Sequence, residues 1–238
     1  MAVLITGGGG KLGKELIKAF PGALAPYREE LNILDRNSVE AFLQTNKPDT
    51  IIHAAAFTNV SKAEHDKRLC WNTNVRGTEF LVDTLKKINP FGYFIYISTA
   101  CVFYGDRGMY TEDDIPNPKN FYAFTKLVGE YVTRRMERYL VVRTNFVERA
   151  PWPYPRAFTD RFGTYLYTDD AAWTLGKLIR QEAGGLVHVA GDTKMAMFDL
   201  ARLTTPDIQP ITMNDTHDPL TVDMSLGSTR ISAVPFKI

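Results

Sequence analysis

The sequence predicts an α/β fold in which a doubly wound parallel sheet is followed by a small C-terminal lobe. Three observations carry this expectation. Short, nearly continuous apolar runs alternate with stretches of helical spacing. Four glycines follow the first apolar run at once, and a helix opens from them. The polar residues of most chemical interest fall just after apolar runs. In such a sheet that is the carboxyl edge, where ligands bind.

"AVLIT" (2–6) is short, apolar and β-branched, and the glycines stop it, so it reads as a buried strand. "KLGKELIKAF" (11–20) places Leu12, Leu16, Ile17 and Phe20 on one side of a helix. "ALAPY" (23–27) is expected as a second short strand, with Pro26 awkward inside it. "NSVEAFLQTN" (37–46) is a helix with Val39, Phe42 and Leu43 inward, and "TIIHAAA" (50–56) is the third strand. A helix over 71–88 follows, then strands over 93–99 and 139–144 with a helix carrying Tyr122 and Lys126 between them. Beyond these come a helix over 169–181, a strand over 185–191 and a short helix over 198–204. Proline density rises over 148–158, where the chain leaves the sheet. The expected organisation is a dinucleotide-binding domain over 1–147 and a substrate-binding portion over 148–238. About 168–190 of that portion return to the core of the first domain.

The bulk numbers exclude several classes. The chain has 238 residues, 45% of them hydrophobic, enough for one sizeable core. Lys plus Arg number 28 against 27 for Asp plus Glu. That balance argues against a nucleic-acid binder and against a polybasic membrane anchor. Cys70 and Cys101 are too far apart to suggest a disulfide framework or a zinc knuckle, and the four histidines show no metal-ligand spacing. The start lacks a basic segment before its apolar run, and no stretch is long enough to span a bilayer. A soluble, cytoplasmic protein is the expectation.

"TGGGGKLG" (6–13) sets Gly7, Gly10 and Gly13 in a Gly-x-x-Gly-x-x-Gly frame between strand and helix. Glycine is needed there for a tight turn, for close approach of the backbone to a pyrophosphate and for close helix–strand packing. The helix N-terminus then offers free N–H groups to phosphate. The frame makes the sheet a Rossmann-type one. At the end of the second strand, "PYREE" puts Arg28 where many such proteins carry an acid for the ribose 2′-OH. Arg28 can pair with a 2′-phosphate. NADP(H) is therefore favoured, with NAD(H) open through Glu29 or Glu30.

Tyr122 and Lys126 stand four apart, on one face of their helix. Taken alone, that spacing is common. In this chain the pair, in "YAFTK", follows "TGGGGKLG", "NILD" (32–35), "AAAFT" (54–58), "NTNVRGT" and "ISTACVF" in one order, with "VVRTNF" and "DRFGTYLYTDDAA" (160–172) after it. The set resembles the extended short-chain dehydrogenase/reductase superfamily, and within it the dTDP-4-dehydrorhamnose reductase branch. The likeness is close over about residues 1–147 and loose beyond.

The resemblance implies roles. Gly7, Gly10, Lys11, Leu12 and Gly13 hold the pyrophosphate, and Asn32 and Ile33 flank the adenine. Ala56, Phe57 and Thr58 line the far side of the cofactor, with Asn74 behind the active site. Thr99, Tyr122 and Lys126 are the catalytic set, the last two also touching the cofactor. Phe146 meets the nicotinamide or the sugar, while Thr99, Ala100 and Arg156 lie on the substrate side. The implied activity is reduction of a 4-keto nucleotide sugar or smaller keto sugar by a homodimer. A free tyrosine has a pKa of about 10 and is a poor acid, and a nearby ammonium is expected to lower that value. Thr99 is expected to fix the carbonyl oxygen.

The chain also departs from the pattern. Ala100 stands where that branch has Asp, and Asn32 where it has an acid. The segment between Thr144 and "TDDAA" is short, so the substrate lobe is trimmed. Arg149, Arg156 and Arg161 remain candidates for a diphosphate. Trp152, Tyr154 and Phe158 read as a hydrophobic plug or as stacking groups, and Met195 and Met197 as core filler. Two alternatives stay open: a non-catalytic NADP-binding regulatory subunit, as the β subunit of methionine adenosyltransferase resembles this branch, and a nucleotide-sugar epimerase.

Overall fold

The computed structural model describes residues 2–236. β1 (Val3–Thr6) leads through the glycine loop into α1 (Lys11–Ala19). The expected second strand is reduced to one parallel bridge, Leu24 to Leu4, held by Ile5 N–H to Leu24 O and Leu24 N–H to Val3 O, both 2.8 Å. Pro26 has no N–H with which to continue that ladder. α2 (Arg36–Asn46), capped by Asp35, precedes β2 (Thr50–His53). Ala54–Ala56 are therefore loop, not strand.

The expected helix over 71–88 is longer and broken. α3 (Val60–His65) and α4 (Lys67–Trp71) come first, each capped by an Asn or Asp side chain. A π-helical turn (Asn72–Arg76) then joins α4 to α5 (Gly77–Ile88). β3 (Tyr93–Ile97), a 3₁₀ turn (Ala100–Val102), α6 (Phe121–Thr133) and β4 (Arg138–Thr144) follow.

The later chain is built from shorter pieces: β5 (Phe146–Val147), β6 (Arg156–Phe158), β7 (Phe162–Gly163) and β8 (Leu166–Tyr167). α7 (Thr168–Arg180) and β9 (Gly185–Val189) rejoin the main sheet. Beyond them lie β10 (Met195–Ala196), α8 (Met197–Arg202), β11 (Gln209–Ile211) and β12 (Asp223–Met224).

The main sheet runs β1-β2-β3-β4-β9, every pair parallel. Alternate side chains enter two cores. Val3, Ile5, Ile52, Ile95 and Val142 face α1 and α7, while Leu4, Ile51, Phe94, Tyr96 and Val141 face α2 and α5. Burial on both faces explains why the strands read as continuous apolar runs. Each fully buried Leu or Ile stabilises the fold by roughly 1.5–3 kcal/mol, so both helical layers are firmly seated. No helix among the described residues is long and apolar enough to cross a membrane.

Candidate active site

The carboxyl edge of β1–β4 borders one open cleft of about 910 Å³. Its two ends are chemically distinct. At one, Gly7 has φ +74°, and a Cβ there would lie 2.6 Å from Ala55 N. A Cβ on Gly13 would lie 2.1 Å from Gly7 O. Both positions therefore exclude any side chain. Gly9 has open space around its Cα, so the loop keeps bare backbone toward the cleft. Lys11 lines the same end, yet its ammonium pairs with Glu148 at 3.0 Å, and both also line a side recess of about 200 Å³. Arg28 also lines the cleft and has no ion-pair or hydrogen-bond partner among the described residues. Glu30 is occupied in accepting the Tyr27 N–H at 2.9 Å.

The other end is built by α6 and the ends of β3 and β4. Asn120 caps α6, accepting from Ala123 N–H at 2.8 Å and donating to Pro219 O at 3.0 Å. Glu64 accepts the Phe121 N–H at 2.7 Å. The first turn is thus fixed from two sides, and Tyr122 and Lys126, one turn apart, both line the cleft. Thr99 lines it too, its hydroxyl accepting from Cys101 N–H at 3.1 Å. Burial pushes the Tyr122 phenol above its ordinary pKa, with the Thr99 hydroxyl pulling the other way. The expected lowering by Lys126 is therefore not what governs this phenol. Lys126 is itself buried, which lowers its pKa to about 7 against the opposing charge of Glu130. Its Nζ sits 4.1 Å from the Tyr96 ring centroid and makes no hydrogen bond or ion pair to the described residues. His53, beneath, is pushed down to about 3 by burial and by Lys126; it is neutral between the Thr6 and Thr78 hydroxyls.

Most of the expected residues meet in this cleft: Gly7, Gly10, Lys11, Leu12, Gly13, Arg28, Asn32, Ile33, Ala56, Phe57, Thr58, Thr99, Tyr122, Lys126 and Phe146. Three do not. Asn74 is buried behind it. From the π-helical turn it accepts Phe57 N–H at 2.8 Å, donates to Phe57 O at 3.0 Å and donates to Thr125 Oγ1 at 2.9 Å. It holds the wall without touching the cleft, and it does so from within the π-helical turn. Ala100 is fully buried in the core around Tyr122, since the 3₁₀ turn folds it inward. Arg156 is exposed on β6, away from the cleft.

Arg149 pairs with Asp169 and Asp170, and Arg161 donates to Thr221 O at 2.9 Å. None of the three candidate arginines lines the cleft. Trp152 packs in the lobe, its indole N–H donating to Arg156 O, whereas Tyr154 reaches the cleft. Thr144, which the sequence places with Asn145 at a strand end, has its hydroxyl buried at the cleft without a protein partner among the described residues. Ser98, at the end of the preceding strand, lines the cleft as well, whereas the sequence alone does not reveal Glu130 and Arg143 as site residues. The i, i+4 spacing of Lys126 and Glu130 was the one available signal.

Bare glycine backbone, an unpaired arginine, an orphaned hydroxyl and an ammonium with free donors fit an elongated, anionic, hydroxyl-bearing ligand. A nicotinamide dinucleotide has that character.

Residues 1–150 match the family model described as the RmlD substrate binding domain. Over 226 residues the chain is 28% identical to a dTDP-4-keto-6-deoxy-D-glucose reductase of Streptomyces niveus, across 84% of this chain and 76% of that one. It is 37% identical over 138 residues to methionine adenosyltransferase 2 subunit beta of Xenopus laevis, across 53% of this chain and 41% of that one. A dTDP-4-dehydrorhamnose reductase structure from Clostridium acetobutylicum superposes with a TM-score of 0.87 at 27% identity, covering 95% of this chain and 90% of that one.

Proposed function

The chain belongs to the RmlD substrate binding domain family, within the extended short-chain dehydrogenase/reductases, and on that premise we propose that it is an NAD(P)H-dependent reductase of a 4-keto nucleotide sugar. The observation that carries this reading is the convergence of Thr99, Tyr122 and Lys126 at one end of a cleft whose other end is the glycine loop. The similarity to a dTDP-4-keto-6-deoxy-D-glucose reductase supports the substrate class.

Bound there, the nicotinamide would supply a hydride to the carbonyl carbon. The protein's part is the oxygen. Thr99 donates a hydrogen bond to the carbonyl oxygen and fixes its position. Tyr122, kept protonated by burial, gives its hydroxyl proton to that oxygen as negative charge develops. Lys126, with three donors free, holds the ribose hydroxyls and, when protonated, stabilises the phenolate left behind. Asn74 keeps the Phe57 wall in register. Arg28 supports a preference for NADP(H), because it alone among "YREE" brings an unpaired charge to the cleft. Equal affinity for NADH would remove that preference.

The test is consumption of NADPH absorbance on addition of dTDP-4-keto-6-deoxyhexose. Turnover is expected. Tight dinucleotide binding without turnover on any keto sugar would favour a second reading, a regulatory subunit. The likeness to the methionine adenosyltransferase β subunit motivates that reading. Epimerisation with no net cofactor use would favour an epimerase.

A further inference from the structure

Behind the cleft, and reaching it only through Ser98, lies a buried ionic cluster that the proposed chemistry does not use. Glu130 has no exposed surface. Arg143 grips it with two bonds, Nε to Oε1 at 3.0 Å and Nη2 to Oε2 at 2.8 Å. Ser98 donates to Oε1 at 2.5 Å. The carboxylate thus accepts three hydrogen bonds, from the ends of two strands, while standing on a helix.

The neighbours of those partners give the cluster its meaning. Ser98 immediately precedes Thr99. Glu130 lies one helical turn beyond Lys126. Arg143 immediately precedes Thr144 and Asn145, which line the cleft. Arg143 is held from its far side as well. His188 Nδ1 donates to the Tyr110 and Gly227 carbonyls at 3.1 and 2.9 Å, which leaves Nε2 to accept from Arg143 Nη1 at 3.4 Å. The guanidinium also sits 5.0 Å from the Phe103 ring centroid.

We propose that Glu130 is a positioning residue of the active site, its carboxylate tying the three segments that carry Thr99, the Tyr122–Lys126 pair and Thr144–Asn145 into one frame. The proposal rests on the reading of Tyr122 and Lys126 given above. Stability alone does not account for the pair. A buried Arg–Glu bridge exchanged for well-packed apolar residues is often neutral or stabilising. The titratable and charged groups facing Glu130 are few: Arg143 from β4, Lys126 from its own helix, and the neutral Tyr96 phenol from β3, with neutral His188 of β9 behind Arg143. Its charge therefore falls on Lys126 with no other carboxylate to share the effect.

The test has a readout independent of turnover. The Lys126 side chain is titrated by NMR in protein labelled with ¹³C-lysine, its signal identified by its loss in Lys126→Met. In Glu130→Leu/Arg143→Leu, which removes the pair together, the Lys126 midpoint is expected to fall by roughly one pH unit. In that variant kcat falls about ten- to a hundredfold while the cooperative thermal transition persists. Arg143→Lys, which leaves the carboxylate charged, keeps the midpoint near wild type. If the double variant does not fold, Glu130→Gln, of the same shape and uncharged, carries the same two expectations. A folded variant with a wild-type Lys126 midpoint and wild-type kcat overturns the proposal. Should the wild type bind NADPH without turnover, the reductase reading fails, and the titration still decides the link between Glu130 and Lys126.

Discussion

The chain before Val147 and the chain after it are held together by different means. Before it, strands of four to seven residues run parallel between two apolar cores, and α2, α3, α4 and α6 start at side-chain caps. After it, apart from the α7–β9 return, strands are two or three residues long. Side chains bonding to backbone take over the work of ladders there: Asn145 to Met224 O, Arg161 to Thr221 O, Thr164 to Leu226 O. The contribution to the cleft differs in the same direction. Every cleft residue beyond Phe146, among those described, reduces to Tyr154. The first half thus supplies the glycine loop and the Thr99, Tyr122 and Lys126 end of the cleft, and the second half adds one aromatic side chain. Substitutions in the first should abolish steps, and those in the second should only weaken affinity.

The largest effect sharpens that contrast most. Tyr122→Phe should lower kcat by about 10²- to 10⁴-fold, the usual weight of a general acid, with the NADPH Kd unchanged in a fluorescence titration. Lys126→Met should abolish turnover and yet stabilise the fold. Burial lowers the folded-state pKa from 10.5 to about 7. Between those values the unfolded chain binds the extra proton, so wild-type stability rises with pH from 7 to 10.5 and is flat below 7. The variant should lose that slope. Denaturant melts should show it more stable by on the order of a few kcal/mol below pH 7, with the difference vanishing above pH 10.5.

Gly13→Ala must push Gly7 aside. It should cost about 1–3 kcal/mol in denaturant unfolding and weaken NADPH binding at least as much. Arg28→Ala should raise the NADPH Kd about tenfold, roughly 1.4 kcal/mol, and leave NADH untouched; equal losses for both would remove Arg28 as a 2′-phosphate partner. Tyr154→Ala, the one test in the second half, should be smallest. KM for the sugar nucleotide should rise a few-fold, about 0.5–1 kcal/mol, at constant kcat. A kcat loss matching that of Tyr122→Phe would break the comparison.

Much of the first half was legible because its signals are local. Apolar runs gave β1 to β4, and the glycine frame with Tyr122 and Lys126 marked both ends of the cleft. The failures were of other kinds. Pro26 reduced the second strand to one bridge. Asn74 satisfies Phe57's backbone from a π-helical turn that periodicity does not announce. Ala100 turns inward because a 3₁₀ turn follows Thr99, and Arg156, a candidate by its charge, stands exposed on a strand away from the cleft. The Ser98–Glu130–Arg143 cluster joins residues 13 and 32 apart, a pairing only the folded sheet creates. Tyr122 was expected to be tuned by an ammonium; it is governed instead by burial, which local spacing does not report.

The most direct measurement is a crystal structure of the protein with NADPH. The account predicts one dinucleotide along the cleft, its pyrophosphate against Gly7–Gly13, its ribose on Lys126 Nζ and its nicotinamide beside Tyr122 and Thr99. A dinucleotide bound elsewhere, or a nicotinamide turned away from the Tyr122 hydroxyl, would contradict it.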